Sequence, residues 1–279
     1  RREHGRLYGP GIGDNSLGVA GLFGLLWSLR KQNIALPGDL WLVANTCEEG
    51  LGDLRGMKAV VERFGDAPKA YLVLEGMALG HVYHKAIGVR RYKITACAEG
   101  GHSWTDYGRP SAIHALAELV AQITSLSLPE NPRTTLNVGK IGGGTSINTI
   151  AAEAWMELDT RSEGSAALAE LDRQVESLVE TAGGPGVGFK AEIIGQRPVG
   201  EIETSHPVIQ LAQACLRQQG FDPILTDGST DANIPLSLGL PALVLGLTQG
   251  GGAHTIHEYI ETAPIQKGLA QLVNFVKQV

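Results

Sequence analysis

Three acidic side chains and one histidine stand where short apolar runs give out, and a fourth acid closes a glycine-rich turn. Glu48 and Glu49 follow LWLVANTC, Glu75 follows AYLVL, and His254 follows PALVLGL across the glycine-rich TQGGGAH. Asp14 closes the turn GPGIG. In parallel α/β sheets the site lies outside the carboxyl ends of the strands, so this placement predicts that all five groups reach one rim. Carboxylates gathered without a nearby lysine repel one another and demand a counter-charge. A divalent cation supplies it. Carboxylate oxygens with an imidazole suit zinc, with cobalt or manganese as substitutes. An acid beyond the ligands can then serve as general base on a metal-activated water.

Each residue has a plainer reading on its own. A Glu-Glu pair is usually solvated surface, an Asp after glycines is usually a helix cap, and a loop histidine is usually polar surface. The weight rests on their joint placement. His257 is a rival to His254, and its neighbour Glu258 favours His254. The spaced pair His81 and His84 has no acid motif near it and reads as structural. The opening glycines also invite a nucleotide reading, which fails. A dinucleotide loop needs a third glycine where Asp14 stands, and a carboxylate there would repel a pyrophosphate. No Gly-Lys-Ser/Thr follows to make a P-loop.

The elements that must position these groups follow from periodicity. Leu22, Leu25, Leu26 and Leu29 recur at helical spacing after possible caps at Asp14, Asn15 and Ser16. Leu40 to Ala44 and Ala70 to Leu74 are wholly apolar runs, predicting buried parallel strands, with a helix over Met57 to Phe64 between them. Near residue 85 the pattern changes. Val89 to Ala96 alternates, Ser111 to Leu126 is amphipathic, Thr134 to Lys140 and Ala151 to Leu158 read as strands, Ala166 to Ala182 as a helix and Val187 to Ile194 as a last strand. This βαββαβ order predicts a ferredoxin-like unit with one open sheet face. From about residue 200 the α/β pattern resumes, with a helix over Pro207 to Gln218 and a buried strand over Pro241 to Leu247. The reading is an α/β domain, 1–85 and 200–279, with an α+β domain, 86–199, inserted into it.

Composition narrows the partners. The net charge of −6 and the scattered Lys and Arg argue against nucleic acid. No run of 18 apolar residues predicts a membrane span. Three cysteines without ligand-like spacing fit a reducing cytoplasm.

Taken together, GPGIGDNSLG, NTCEEGLGDLRG, LEG at Leu74 to Gly76, GGHS, SINTIAAEAWMELDTRS, GSTDAN and GGGAHTIHEYIE resemble the co-catalytic zinc hydrolases. That family includes glutamate carboxypeptidase, acetylornithine deacetylase, succinyl-diaminopimelate desuccinylase, aminoacylase and tripeptidase T. The resemblance covers essentially the whole chain. It implies a zinc-exopeptidase fold, phosphorylase/hydrolase-like, with a mostly parallel sheet and an inserted lid and dimerisation domain. It implies two zinc ions bridged by Asp14, with Glu49 and His254 on one and Glu75 on the other, and Glu48 as general base and proton shuttle. His102 would stabilise the oxyanion in a partner's site across a homodimer, and Asn148 and Arg161 would hold the substrate. A cis peptide at Asp14–Asn15 is also implied. The substrate would be a short peptide, on the tripeptidase side of the family, with an N-acyl amino acid as the alternative.

One family motif is absent. No His-x-Asp occurs in the chain, and only eight residues precede Gly9. The second zinc would then lack its histidine, and the expectation is a chain short of the N-terminal part of its catalytic domain. The competing expectation is a non-catalytic relative with a degraded site.

Overall fold

The computed structural model describes residues 1–279. In chain order its main elements are β1 (Arg6–Tyr8), α1 (Gly18–Lys31), α2 (Arg55–Phe64), β2 (Tyr71–Glu75), β3 (His81–Ala86), β4 (Gly88–Ala98), α3 (Ala112–Thr124), β5 (Thr134–Gly143), β6 (Glu153–Ser162), α4 (Ser165–Ala182), β7 (Val187–Arg197), α5 (Pro207–Gln218), β8 (Ile224–Gly228), α6 (Asn233–Ser237), β9 (Ala242–Gly246), β10 (Tyr259–Glu261) and α7 (Ile265–Val276). They group into two compact units, one of residues 1–48, 54–86 and 200–279, the other of 49–53 and 87–199.

The first unit is a three-layer sandwich around β9, whose five residues are all buried. Successive side chains of a strand point to opposite faces. Leu243 and Leu245 therefore pack with Leu25 and Leu29 of α1, Ile209 and Leu216 of α5, and Leu272 and Phe275 of α7. Ala242 and Val244 pack the other way, with Met57 and Val61 of α2 and Ile234 and Leu236 of α6. A strand covered on both faces must be apolar throughout, which is why PALVLGL is legible as one.

The sheet itself corrects the expectation of a mostly parallel arrangement. β9 runs parallel to β2, and β8 parallel to β3, but β3 runs antiparallel to β9 and to the short strand Gly200–Glu201. The reason lies in chain length. Only residues 76–80 separate β2 from β3, and a parallel return needs a crossover of a dozen or more residues. A second correction concerns Leu40 to Ala44, which forms no strand. No neighbouring backbone bonds to it, and Trp41 is 61% exposed while resting on Phe64. An apolar run encodes a preference for burial, but a strand also needs a ladder partner.

The second unit is the ferredoxin-like arrangement in full. Its sheet has the order β7-β4-β6-β5, antiparallel throughout. Tyr92, Ile94, Met156 and Leu158 face Leu116 and Leu119 of α3 and Leu171 and Val175 of α4. The opposite face carries Arg91, Lys93, Trp155, Glu157, Asp159 and Arg161, with Arg91 opposite Asp159 and Lys93 opposite Glu157 across the β4–β6 ladder. Opposite charges at facing positions are the favourable pairing for a solvated sheet face.

Candidate metal centre

The turn carrying Asp14 is irregular. Gly11 has φ +70°, Asp14 and Asn15 leave helical geometry, and the Asp14–Asn15 peptide is cis. Asn15 ties this turn to two neighbours. Its side-chain oxygen accepts from the Gly18 N–H at 3.0 Å, starting α1, and its amide donates to the Leu74 carbonyl at 2.7 Å, beside Glu75. The close approach needs glycine on the strand side. A Cβ on Gly76 would lie 1.9 Å from the Gly13 carbonyl oxygen.

Glu258 completes the turn. Its carboxylate accepts N–H bonds from Gly13 at 2.7 Å, Asp14 at 2.8 Å and Gly11 at 2.8 Å, and its carbonyl accepts from Gly9 at 3.0 Å. Only 1% of the residue is exposed. Burial pushes its carboxyl group up, but the three backbone N–H groups and the nearby His254 outweigh that and hold it below the usual carboxylate range. His254 sits four residues earlier, in the left-handed region at φ +63°, within a turn closed by Thr255 N–H to the Gly252 carbonyl. Its Nε2 lies 3.0 Å from Asp14 Oδ2.

The Glu48–Glu49 segment is held differently. Cys47, Gly50, Asp53 and Leu54 all have positive φ, between 52° and 66°. Strain of this kind persists only where surroundings enforce it. Leu54 is fully buried, anchoring the far end. On the near side the Asn45 amide donates to Asp231 Oδ2 at 2.8 Å, and Asp231 itself is buried. Gly56 lets α2 start against this backbone, since a Cβ there would lie 2.2 Å from the Thr46 carbonyl oxygen.

Asp14, Glu49 and His254 bring one ligand atom each to within 4.8 Å of one another. Two oxygens and an imidazole nitrogen at that spacing fit a zinc-like cation, which takes three or four such donors. No second group of three His, Cys, Asp or Glu donors converges in the chain. Glu75 stands at the end of β2 and Glu48 directly before Glu49, both outside this group.

In the second unit, Gly101 and His102 pair with Thr149 and Ile150, and the Ser103 N–H donates to the Asn148 carbonyl, so His102 and Asn148 are neighbours. His102 Nδ1 accepts from the Trp104 N–H at 3.2 Å and the Thr105 N–H at 3.4 Å. With Nδ1 accepting, Nε2 is the ring nitrogen left to donate. Asn148 Oδ1 accepts from Ser146 Oγ at 2.9 Å, leaving its NH2 group to donate. Arg161 Nε is committed to Asp159 Oδ2 at 2.7 Å, while Asp159 Oδ1 takes Arg91 Nε at 2.9 Å. His84 is buried with Nδ1 on the Ile202 carbonyl, a structural role. Asn45, Asp231 and Glu258 are the residues that motif reading did not assign to the site. The signal for Glu258 was chemical. A glycine turn with several inward N–H groups needs an acceptor.

An α/β unit, a ferredoxin-like insertion and a cluster of two carboxylates and one histidine are together compatible with the metal-dependent hydrolases. Peptidase family M20/M25/M40 matches residues 1–278, and the chain belongs to that family of metallohydrolases. It is 26% identical over 277 residues to succinyl-diaminopimelate desuccinylase of Corynebacterium glutamicum, covering 96% of this chain and 72% of that protein. It is 28% identical over 292 residues to acetylornithine deacetylase of Erwinia tasmaniensis, covering 98% of this chain and 73% of that protein. A tripeptidase from Staphylococcus aureus superposes with a TM-score of 0.80 at 22% identity, over 99% of this chain and 74% of that one. The aminopeptidase PepT from Bacillus cereus gives 0.76 at 22% identity, over 100% and 75%. Both structures share the fold. No helix of the chain is long and apolar enough to cross a membrane.

Proposed function

We propose that the chain carries the hydrolytic centre of an enzyme that cleaves an amide bond in a small substrate, a short peptide cut from one end. The observation that carries this reading is the convergence of Asp14, Glu49 and His254, with Glu48 next to Glu49. Asp14, Glu49 and His254 would hold one divalent ion, zinc by donor chemistry. Such an ion supplies Lewis acidity toward a water and the scissile carbonyl. Glu48 takes the proton from the attacking water and returns it to the departing amine. A second ion would rest on Asp14 and Glu75, for which this chain offers no imidazole, and no step here depends on it.

The second unit supplies binding groups. The His102 Nε2–H is suited to an oxyanion, the Asn148 NH2 to a substrate carbonyl, and the outer nitrogens of Arg161 to a carboxylate. Trp104, Tyr107 and Ile147 surround His102 and Asn148 in sequence and are 84%, 90% and 104% exposed. Large apolar side chains left bare in this way favour burial against another chain, and a second copy is the partner proposed. Sedimentation should then show a dimer that Trp104→Asp disrupts.

A second reading, an N-acyl amino acid amidohydrolase, is favoured by the desuccinylase and deacetylase similarities. The test is a panel of di- and tripeptides against N-acetyl and N-succinyl amino acids with added zinc or cobalt. Turnover of the peptides supports the first reading and turnover of the acylated amino acids the second. Cobalt binding without turnover of any member would support a non-catalytic relative.

A further inference from the structure

We infer that Glu258 is a positioning residue of the metal centre: its carboxylate gathers the N–H groups of Gly11, Gly13 and Asp14 and so sets the turn from which Asp14 faces His254 and Glu49. The inference rests on the metal-centre reading above.

The geometry is specific to a carboxylate. Ionised Glu is acceptor-only, with about four lone-pair directions on two oxygens. Oε1 takes the Gly13 and Asp14 N–H groups and Oε2 takes Gly11. An amide cannot do this, because its NH2 would confront one of those N–H donors. A charge 1% exposed is tolerated only when it is well bonded, and here the side chain's hydrogen-bond partners, Gly11, Gly13 and Asp14, belong to one four-residue stretch. The turn has little room to find another arrangement. A Cβ on the buried Gly13 would lie 2.9 Å from Met77 Cγ.

Glu258 also couples two ligand loops. It lies four residues after His254 and directly before β10, which pairs with β1 through Tyr259 and Tyr8. Its main chain holds Gly9 and its side chain holds Gly11, Gly13 and Asp14. The Asp14 turn is thus referenced to the His254 loop at both ends, which accounts for the 3.0 Å approach of His254 Nε2 to Asp14 Oδ2. Glu258 touches neither a reacting atom nor the ligand group, so its part is orientation.

The test pairs two readouts on the full chain, one independent of metal. Amide hydrogen exchange followed by NMR should show Gly11, Gly13 and Asp14 protected in the wild type, with protection lost in Glu258→Gln wherever the new NH2 group confronts an N–H donor. Cobalt titration should show affinity reduced about 10- to 100-fold in Glu258→Gln, the usual effect of removing a residue that orients a ligand. Acetate should restore cobalt affinity to Glu258→Ala, by filling the carboxylate's place, and should leave the wild type unchanged. A merely structural role would give no such rescue. Should Glu258→Ala fail to fold, the isosteric Glu258→Gln still decides. Unprotected Gly13 and Asp14 amides in the wild type, or wild-type cobalt affinity in Glu258→Gln, would overturn the inference. Protected amides with no cobalt binding in any variant would instead overturn the metal-centre reading, and with it Glu258 as a part of such a centre.

Discussion

Two segments deliver acidic groups to the candidate centre, and they are built on opposite terms. The turn at residues 9–15 is locked from inside: Glu258 collects its N–H groups, Asn15 bonds both α1 and the end of β2, and Gly76 admits its backbone. The segment at residues 40–49 joins no ladder and exposes Trp41. It is held at points, by Asn45 on Asp231, by Gly56 under Thr46 and by the buried Leu54. The contrast teaches that a ligand can be placed either by a saturated backbone turn or by discrete tethers on an extended chain. The two should fail differently. A saturated turn loses its geometry when Glu258, the acceptor of three of its N–H groups, changes, whereas a tethered segment loses it in smaller steps.

The largest expected effects lie at the ligands, where the difference in support should not matter. Asp14→Ala and Glu49→Ala should each lower cobalt affinity by more than the roughly 10- to 100-fold that loss of a supporting residue costs, as read by calorimetry. If Glu49→Ala binds normally, the tethered segment is not part of the centre. Next comes Glu48→Gln. In an assay with a cleaved substrate it should lower kcat by about 10²- to 10⁴-fold, the range for a lost general base, while cobalt affinity stays within a few-fold. Activity near wild type would remove Glu48 from the role.

Smaller effects probe the supports. Gly76→Ala forces a Cβ to 1.9 Å from the Gly13 carbonyl oxygen, and overpacking of this kind costs about 1–3 kcal/mol, measurable by urea unfolding. An unchanged midpoint would mean that the turn can yield. The smallest effect should follow Asn45→Asp, which sets two carboxylates face to face in place of one hydrogen bond. Cobalt affinity should fall only several-fold, and the double variant Asn45→Asp with Asp231→Asn should recover it by reversing the donor. A double variant no better than the single one would show that the Asn45–Asp231 contact does not hold the segment.

The same contrast explains how much was legible in the sequence. The GPGIGD turn, the helix behind it, β2, β9 and the whole ferredoxin-like unit could be read because their signals are local: apolar period, turn glycines and alternation. The Leu40 to Ala44 strand could not, since pairing depends on a neighbour and not on the run itself. The mixed sheet direction was implicit in the five residues between β2 and β3, a length too short for a parallel return. Among the candidate ligands, Glu49 and His254 could be read from their place after apolar runs, and Asp14 from its glycine turn and motif order. Asn45 and Asp231 lie 186 residues apart, and nothing local announces their contact. Arg161 carries a role expected from resemblance, while the structure gives it an ion pair with Asp159 on the same strand.

Asp14, Glu49 and His254 are proposed to make one divalent-cation site. Cobalt titration of the full chain, followed by calorimetry and visible absorbance, tests it most directly. Binding should be saturable at one ion per chain, abolished by His254→Ala and retained by His257→Ala. Absence of saturable binding, or binding that survives His254→Ala unchanged, would contradict it.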